Sequence, residues 1–123
     1  MGEVRLKRVY EPADDGDGYR VLVDRLWPRG VTKERAALDL WSKDVAPSPE
    51  LRKWWSHDPA RFAEFRVRYD AELCDPRPDQ AAALEELRGA IAAHDVVTLA
   101  FGAHDPEVNH AVVLRDFLLS SAG

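Results

Sequence analysis

The sequence predicts an α/β fold: a small, mostly parallel sheet of three or more strands with flanking helices, in a single layered structure. A continuous apolar run, "VVTLAF" at Val96–Phe101, is typical of a strand covered on both faces. A second strand is predicted near the N-terminus, over residues 19–26. Helical apolar spacings lie between the two runs, and they supply the right-handed crossover that joins parallel strands.

Length and composition predict one domain over residues 1–123, because 123 residues suffice for one core but not for two. No apolar run is long enough to span a bilayer, and no signal peptide is evident, so a cytoplasmic protein with no membrane partner is predicted. The formal net charge of -5 argues against a broad nucleic-acid surface. Cys74 is the single cysteine and cannot form an internal disulfide.

The N-terminal segment predicts an edge strand followed by a loop. Residues 4–10 alternate between apolar and polar side chains, the pattern of a strand with one solvated face. The next segment, "EPADDGDG", is rich in turn-forming residues and predicts a solvated connector. Its aspartates lack the spacing and the downstream glutamate of a calcium loop.

The middle of the chain predicts a series of capped helices. Thr32 is the predicted N-cap of a helix that buries Leu38, Trp41 and Val45, which are spaced as one helical face. Ser48 before Pro49 predicts the next helix start. The same device recurs at Asp58–Pro59 and Asp105–Pro106, and a further helix covers roughly residues 78–93. The predicted core side chains are Trp41, Trp54, Phe62, Phe65 and Leu114.

Two polar and aromatic segments lie at the carboxyl ends of the two predicted central strands. They are "DRLWPRG" at residues 24–30 and "FGAHDPEVNH" at residues 101–110. Ligands of open α/β sheets bind at that edge. The sequence therefore predicts a site between these segments.

Arg25 and Arg29 are the first ligand-binding candidates. Pro28 and Gly30 fix the turn between them, which favours two guanidiniums aimed at one planar anion. Ion pairing with nearby carboxylates is the structural alternative. Trp27, held in the same turn, is the candidate for stacking on a ligand.

The other candidates come from two further segments. Lys43 is a second candidate cation for the ligand, or a salt-bridge partner of Asp44. Asp105 and His110 are the catalytic candidates, since a histidine titrates near working pH and serves as a general acid or base. The alternatives are a helix cap for Asp105 and a histidine satisfied by hydrogen bonds. Asn109 is a candidate ligand-binding residue.

No metal site or cofactor is predicted. The four histidines include no pair four residues apart and no HxH. No GxSxG, Walker-type loop or GxGxxG occurs, so three common enzyme classes lack their local motifs, and a cofactor stays unknown.

The segments "RVLVDRLWPRG" and the spaced "WxKDxAPSxxLRxW" resemble the domain of unknown function 488 family, in its short YeaO-like branch. The resemblance extends from "RVYEP" to "DPEVNHAVVLRDFL". It implies a small cytoplasmic α/β protein without a settled activity. Resembling sequences often carry a tyrosine or cysteine just before the final loop, where this chain has Phe101 and Gly102. Chemistry by a phenol or thiol is therefore not available at that position.

Two hypotheses of different classes follow. In the first, an enzyme or enzyme-like module acts on an anionic small molecule, such as a nucleotide or phosphorylated metabolite. Arg25 and Arg29 then hold charge, and Asp105 or His110 moves protons. In the second, the same pocket serves a ligand-sensing or protein-interaction module without turnover. The sequence leaves both open, together with the oligomeric state.

Overall fold

The computed structural model describes residues 3–120. Within them the strands are β1 (Glu3–Arg8), β2 (Tyr19–Leu22), β3 (Leu40–Trp41) and β4 (Val96–Phe101). The α-helices are α1 (Lys33–Ala36), α2 (Pro49–Trp55), α3 (Phe62–Cys74), α4 (Pro78–Ala93) and α5 (His110–Ser120). Short 3-10 helices cover Asp15–Asp17, Lys43–Val45 and Pro59–Arg61. In this described part of the chain, no helix is both long and apolar enough to cross a membrane.

The strands form one parallel sheet in the order β1-β4-β2-β3. The predicted neighbours are confirmed, because Tyr19 of β2 lies opposite Val97 of β4, and Leu22 lies opposite Ala100. β1 occupies the predicted edge position. The small α/β class is therefore confirmed, with every observed pair of strands parallel.

The central strand β4 is buried on both faces, as its continuous apolar run predicts. Val97, Leu99 and Phe101 pack into the large core cluster, which also contains residues of α3, α4 and α5. Ala100 belongs to a smaller cluster on the opposite face. Thr98 is buried as well, and its hydroxyl donates to the Asp17 carbonyl oxygen at 2.6 Å.

The prediction of one helix that buries Trp41 and Val45 on the same face is wrong. Thr32 caps α1 as predicted, but α1 ends early because Ala37 adopts a left-handed conformation at φ 47°. Trp41 instead lies in the two-residue strand β3 and is 39% exposed. The prediction of Trp41 as a core residue is therefore also wrong. Its indole N–H donates to the Asp24 carbonyl at 2.8 Å.

The other predicted core residues lie where the helical spacing places them. Phe65 and Leu114 are fully buried. Trp54 and Phe62 are half-buried and pack against the same cluster. The helical phase predicted for α3 and α5 is therefore confirmed.

Helix α5 begins at His110, so the helix start predicted at Asp105 is wrong. The Asp105 carboxylate accepts hydrogen bonds from the backbone amides two and three residues further on, which makes a local turn. Asn109 takes the capping role. Its side-chain oxygen accepts from the Val112 amide at 3.0 Å, and its amide group donates to the Asp105 carbonyl at 2.8 Å.

The loop predicted as a solvated connector is anchored at one buried carboxylate. Asp17 is 7% exposed, and one of its oxygens lies 2.6 Å from the Arg20 guanidinium and 3.0 Å from the Lys7 ammonium. Burial raises the pKa of Asp17, but hydrogen bonds from Lys7, Asp14 and Arg20 outweigh burial and hold the pKa below its ordinary value. The prediction is therefore wrong at Asp17.

Phe65→Ala is expected to lower the free energy of unfolding by about 3 to 5 kcal/mol, because it removes a fully buried ring. That ring stacks on Trp55 with 4.0 Å between the ring centroids. Urea unfolding measures the change. Trp41→Ala is the comparison and should cost substantially less, since that side chain is partly exposed. Equal costs for the two variants would contradict the burial described here.

Asp17→Asn is expected to lower the free energy of unfolding at neutral pH by roughly 3 kcal/mol, because it leaves the buried Arg20 without its anion. A carboxyl group whose pKa is lower in the folded than in the unfolded protein stabilises the fold at pH values above the unfolded pKa, which is about 3.9. This contribution is lost as the pH falls through the folded pKa. The difference in the free energy of unfolding between wild type and Asp17→Asn should therefore become smaller in acid.

Urea unfolding at neutral pH and below about pH 4 tests this dependence. Asp15→Asn is the matched control, since Asp15 is exposed in the same turn. In this control, the free energy of unfolding should change between the two pH values by the same amount as in wild type. A gap between wild type and Asp17→Asn that stays constant with pH would show that Asp17 does not stabilise the fold through its charge.

Candidate functional site

A cleft of about 610 Å³ opens at the carboxyl ends of three strands. Tyr10 enters it two residues after β1, Asp24 two residues after β2, and Gly102 directly after β4. Because the strands are parallel, their carboxyl ends meet at one edge of the sheet, where α/β folds place their ligands. Helix α2 closes another side with Arg52 and Trp55.

A hydrogen bond joins the two central loops at the base of the cleft. The Gly102 amide donates to Asp24 Oδ2 at 2.9 Å. A Cβ atom at position 102 would lie only 2.9 Å from the same oxygen, so a larger residue would push the carboxylate away. Glycine at this position therefore allows the carboxylate to approach the backbone of the neighbouring strand.

His110 sits against the same carboxylate. Its Nε2 lies 3.0 Å from the Val23 carbonyl oxygen and 3.2 Å from Asp24 Oδ1. A carbonyl oxygen only accepts, so Nε2 carries a proton and donates it to Val23. Asp24 Oδ1 is buried and makes no hydrogen bond, which shows that the short distance to Nε2 reflects proximity rather than a second bond. The imidazole is thus held by the backbone beside a carboxylate.

Arg52 is the cation in the cleft that lacks a protein partner. Its side chain is half-buried, and its Nε is shut off from solvent without a hydrogen-bond acceptor anywhere in residues 3–120. No carboxylate of the described chain forms an ion pair with it either. In α2 the residue stands between Leu51 and Lys53 and resembles a helix-surface position, so helical spacing does not single it out. The motif "WxKDxAPSxxLRxW" contains it and is the one sequence signal that points to it.

Arg25 lines the cleft as well, but it has a partner. Its Nη1 lies 3.1 Å from Asp44 Oδ1, and both side chains are at least a third exposed. An exposed pair of this kind contributes little stability, so an incoming anion displaces Asp44 at little cost. Two arginines and three histidines (His57, His104, His110) line the cleft beside the aspartates Asp24 and Asp105.

The structure brings together only some of the predicted site residues. Trp27 lines the cleft, and its indole N–H donates to the Val31 carbonyl at 2.7 Å. Lys43 instead lies over the ring of Trp41, with 5.6 Å between its Nζ and the ring centroid. Asn109 is fully buried as the cap of α5. The predicted residues that line the cleft are Arg25, Trp27, Asp105 and His110, and those that do not are Arg29, Lys43 and Asn109.

The turn after α2 shapes the wall that carries Arg52. Ser56 and His57 both adopt left-handed conformations, at φ 51° and 57°. The His57 ring packs on Trp55, with 4.8 Å between the ring centroids. In residues 3–120 no group of three or more His, Cys, Asp or Glu side chains is placed to hold a metal ion. The functional roles of all these residues remain predictions.

The chain is similar over almost its whole length to proteins from several bacteria. An uncharacterised protein of Mycobacterium tuberculosis strain H37Rv is 48% identical over 115 residues, which cover 94% of this chain and 92% of that protein. A Mycobacterium bovis protein shows the same identity and coverage. The uncharacterised protein YeaO of Escherichia coli K12 is 44% identical over 117 residues, 95% of this chain and 97% of YeaO. No solved structure matches the chain.

A family model described as "Inactive DUF488-N3 subclade" matches residues 3–122. This match and the YeaO relative confirm the resemblance that "RVLVDRLWPRG" carries in the sequence. The chain therefore belongs to the domain of unknown function 488 family, and within it to the subclade described as the inactive N3 branch.

Proposed function

We propose that the chain binds an anionic small molecule in the cleft at the carboxyl ends of its strands, without turning it over. One observation carries the proposal. Arg52 lines the cleft half-buried, and its buried Nε has no acceptor in the described chain. A guanidinium keeps its charge near neutral pH, so it holds a positive charge ready at this wall.

The energetics of that guanidinium favour an anionic partner. A buried donor without an acceptor carries a desolvation cost of about 1 to 3 kcal/mol. An oxyanion bound to the guanidinium compensates the charge, and a hydrogen bond to a charged group contributes about 1.5 to 3 kcal/mol. Arg25 stands in the same cleft in an exposed pair with Asp44 and supplies a second cation.

Binding without turnover is supported by three further observations. The matching subclade is described as inactive. The resemblance implies a tyrosine or cysteine just before the final loop, where this chain has Phe101 and Gly102. The described residues that line the cleft include no cysteine, serine, threonine or lysine to act as a nucleophile.

An enzyme acting on the same anion is the second candidate, and one contact favours it. His110 Nε2 lies 3.2 Å from Asp24 Oδ1, which places an imidazole and a carboxylate together at the cleft. Such a pair serves general acid–base catalysis in many enzymes. Against this role, the Nε2 proton is directed to the Val23 carbonyl.

Arg52→Ala is expected to weaken the binding of adenosine 5′-monophosphate roughly 10- to 100-fold, because it removes a charge-assisted hydrogen bond. Isothermal titration calorimetry measures the affinity, and wild-type affinity should fall as salt is raised. Arg25→Ala should cost less, since Arg25 is already paired with Asp44.

Arg29→Ala is the matched control for charge, because Arg29 is exposed and does not line the cleft. It should leave the affinity unchanged. Melting temperatures of all three variants check that each remains folded. Equal losses of affinity for Arg29→Ala and Arg52→Ala would show that general charge, not the cleft, attracts the anion. If no phosphorylated probe binds wild type, the proposal is wrong.

Prolonged incubation with each phosphorylated probe that binds should leave the probe intact, as followed by phosphorus NMR. The physical reason is that the cleft lining includes no cysteine, serine, threonine or lysine, and that the His110 Nε2 proton is engaged by the backbone. His110→Gln is the comparison variant. Product formation by wild type that His110→Gln abolishes would overturn binding without turnover and establish the enzyme hypothesis.

A further inference from the structure

We infer that the ligand carries an aromatic ring as well as its anionic group, and that the ring lies on an apolar rim formed by Leu26, Trp27 and Pro28. All three residues line the cleft. The inference rests on the proposed function, because it names the class of anion that this cleft takes. That class is an aryl or nucleoside phosphate.

Leu26 is the first reason for an apolar partner. It is 72% exposed in the bend that follows β2, and it borders the cleft. A single exposed leucine is common on protein surfaces. Here the exposed leucine is followed by the half-buried Trp27, which lines the same cleft, so a ligand ring can bury apolar surface of both side chains. Burial of that surface favours binding through the hydrophobic effect.

Trp27 is the second reason, because its ring is fixed before any ligand arrives. Its indole N–H donates to the Val31 carbonyl at 2.7 Å. Its ring meets Trp41 edge-on, with 5.4 Å between the ring centroids. Pro28 is buried and restricts the backbone beside it. A rim of this kind loses little conformational entropy when a ring packs against it.

The cleft joins this rim to the cations in one volume. Its volume of about 610 Å³ falls within the range of small-molecule sites. Inorganic phosphate would engage Arg52 and Arg25 but would leave the rim exposed. An apolar ring alone would leave the Arg52 guanidinium without an acceptor. A ligand with both parts satisfies both surfaces, which is why the combined chemistry is inferred.

Two matched pairs of probes test the inference by calorimetry. Phenyl phosphate is compared with methyl phosphate, and adenosine 5′-monophosphate with ribose 5-phosphate. In each pair the phosphate group is retained and the aromatic ring is removed. The ring-bearing member should bind more tightly in at least one pair. The pair that shows the preference distinguishes a general aryl phosphate from a nucleoside phosphate.

Leu26→Ser should lower the affinity for the preferred probe with the aromatic ring roughly fivefold. It should leave the affinity for the matched probe without that aromatic ring unchanged. Because Leu26 is exposed, the substitution should leave the fold intact, and the melting temperature of the variant checks this. Val67→Ser is the matched control, since Val67 is 69% exposed on α3 and does not line the cleft. It should change neither affinity.

The outcomes separate this inference from the proposed function. Equal binding within both pairs, or a ring preference that Leu26→Ser leaves intact, overturns the inference while anion binding stands. Failure of every phosphorylated probe to bind wild type overturns the proposed function, and the inference with it. A ring preference that Leu26→Ser removes and Val67→Ser retains establishes the rim as the ring-binding surface.

Discussion

The parallel pairing of β2 with β4 is the constraint on which the rest of the molecule depends. β4 is buried on both faces and pairs with β1 on one side and β2 on the other. Its neighbours therefore end at the same edge of the sheet, and their loops meet there. The Gly102 amide then donates to Asp24 and joins the two central loops. The position of the cleft follows from this register.

The arginines of the described chain differ in the partners that they have. Arg20 is buried against Asp17, and Arg66 pairs with Asp116. Burial raises the pKa of Asp116, but hydrogen bonds from Arg66 and Arg115 outweigh burial and hold the pKa below its ordinary value. These pairs are satisfied within the chain. Arg52 has no such partner although it is half-buried. The Nε of Arg52 is buried without an acceptor in the described chain, and this favours an external anion over a structural ion pair.

The features predictable from sequence are those with a strong local pattern. The apolar run of β4 predicts a covered central strand, and the cleft lies beside the loop at the end of this strand. The prediction of Trp41 as a buried helical residue is wrong because its spacing from Val45 matches a helical face, while nothing about an alanine signals the left-handed conformation of Ala37. Arg52 enters the cleft from a separate helix. Spacing along α2 gives no information about which side chain meets a loop distant in sequence.

The turn after α2 forms the wall of the cleft that carries Arg52. Ser56 and His57 both hold left-handed backbone conformations, each at a cost of about 1 to 2 kcal/mol for a residue with a Cβ atom. The cleft wall is lined by Arg52 and Trp55 before the turn, by His57 within it and by Pro59 after it. A left-handed residue also ends α1, at Ala37 outside the cleft, because helices commonly end in this way. The wall after α2 differs because it carries the Arg52 guanidinium, whose buried Nε has no acceptor in the described chain. The charge of Arg52, and not the backbone conformation, therefore distinguishes this wall.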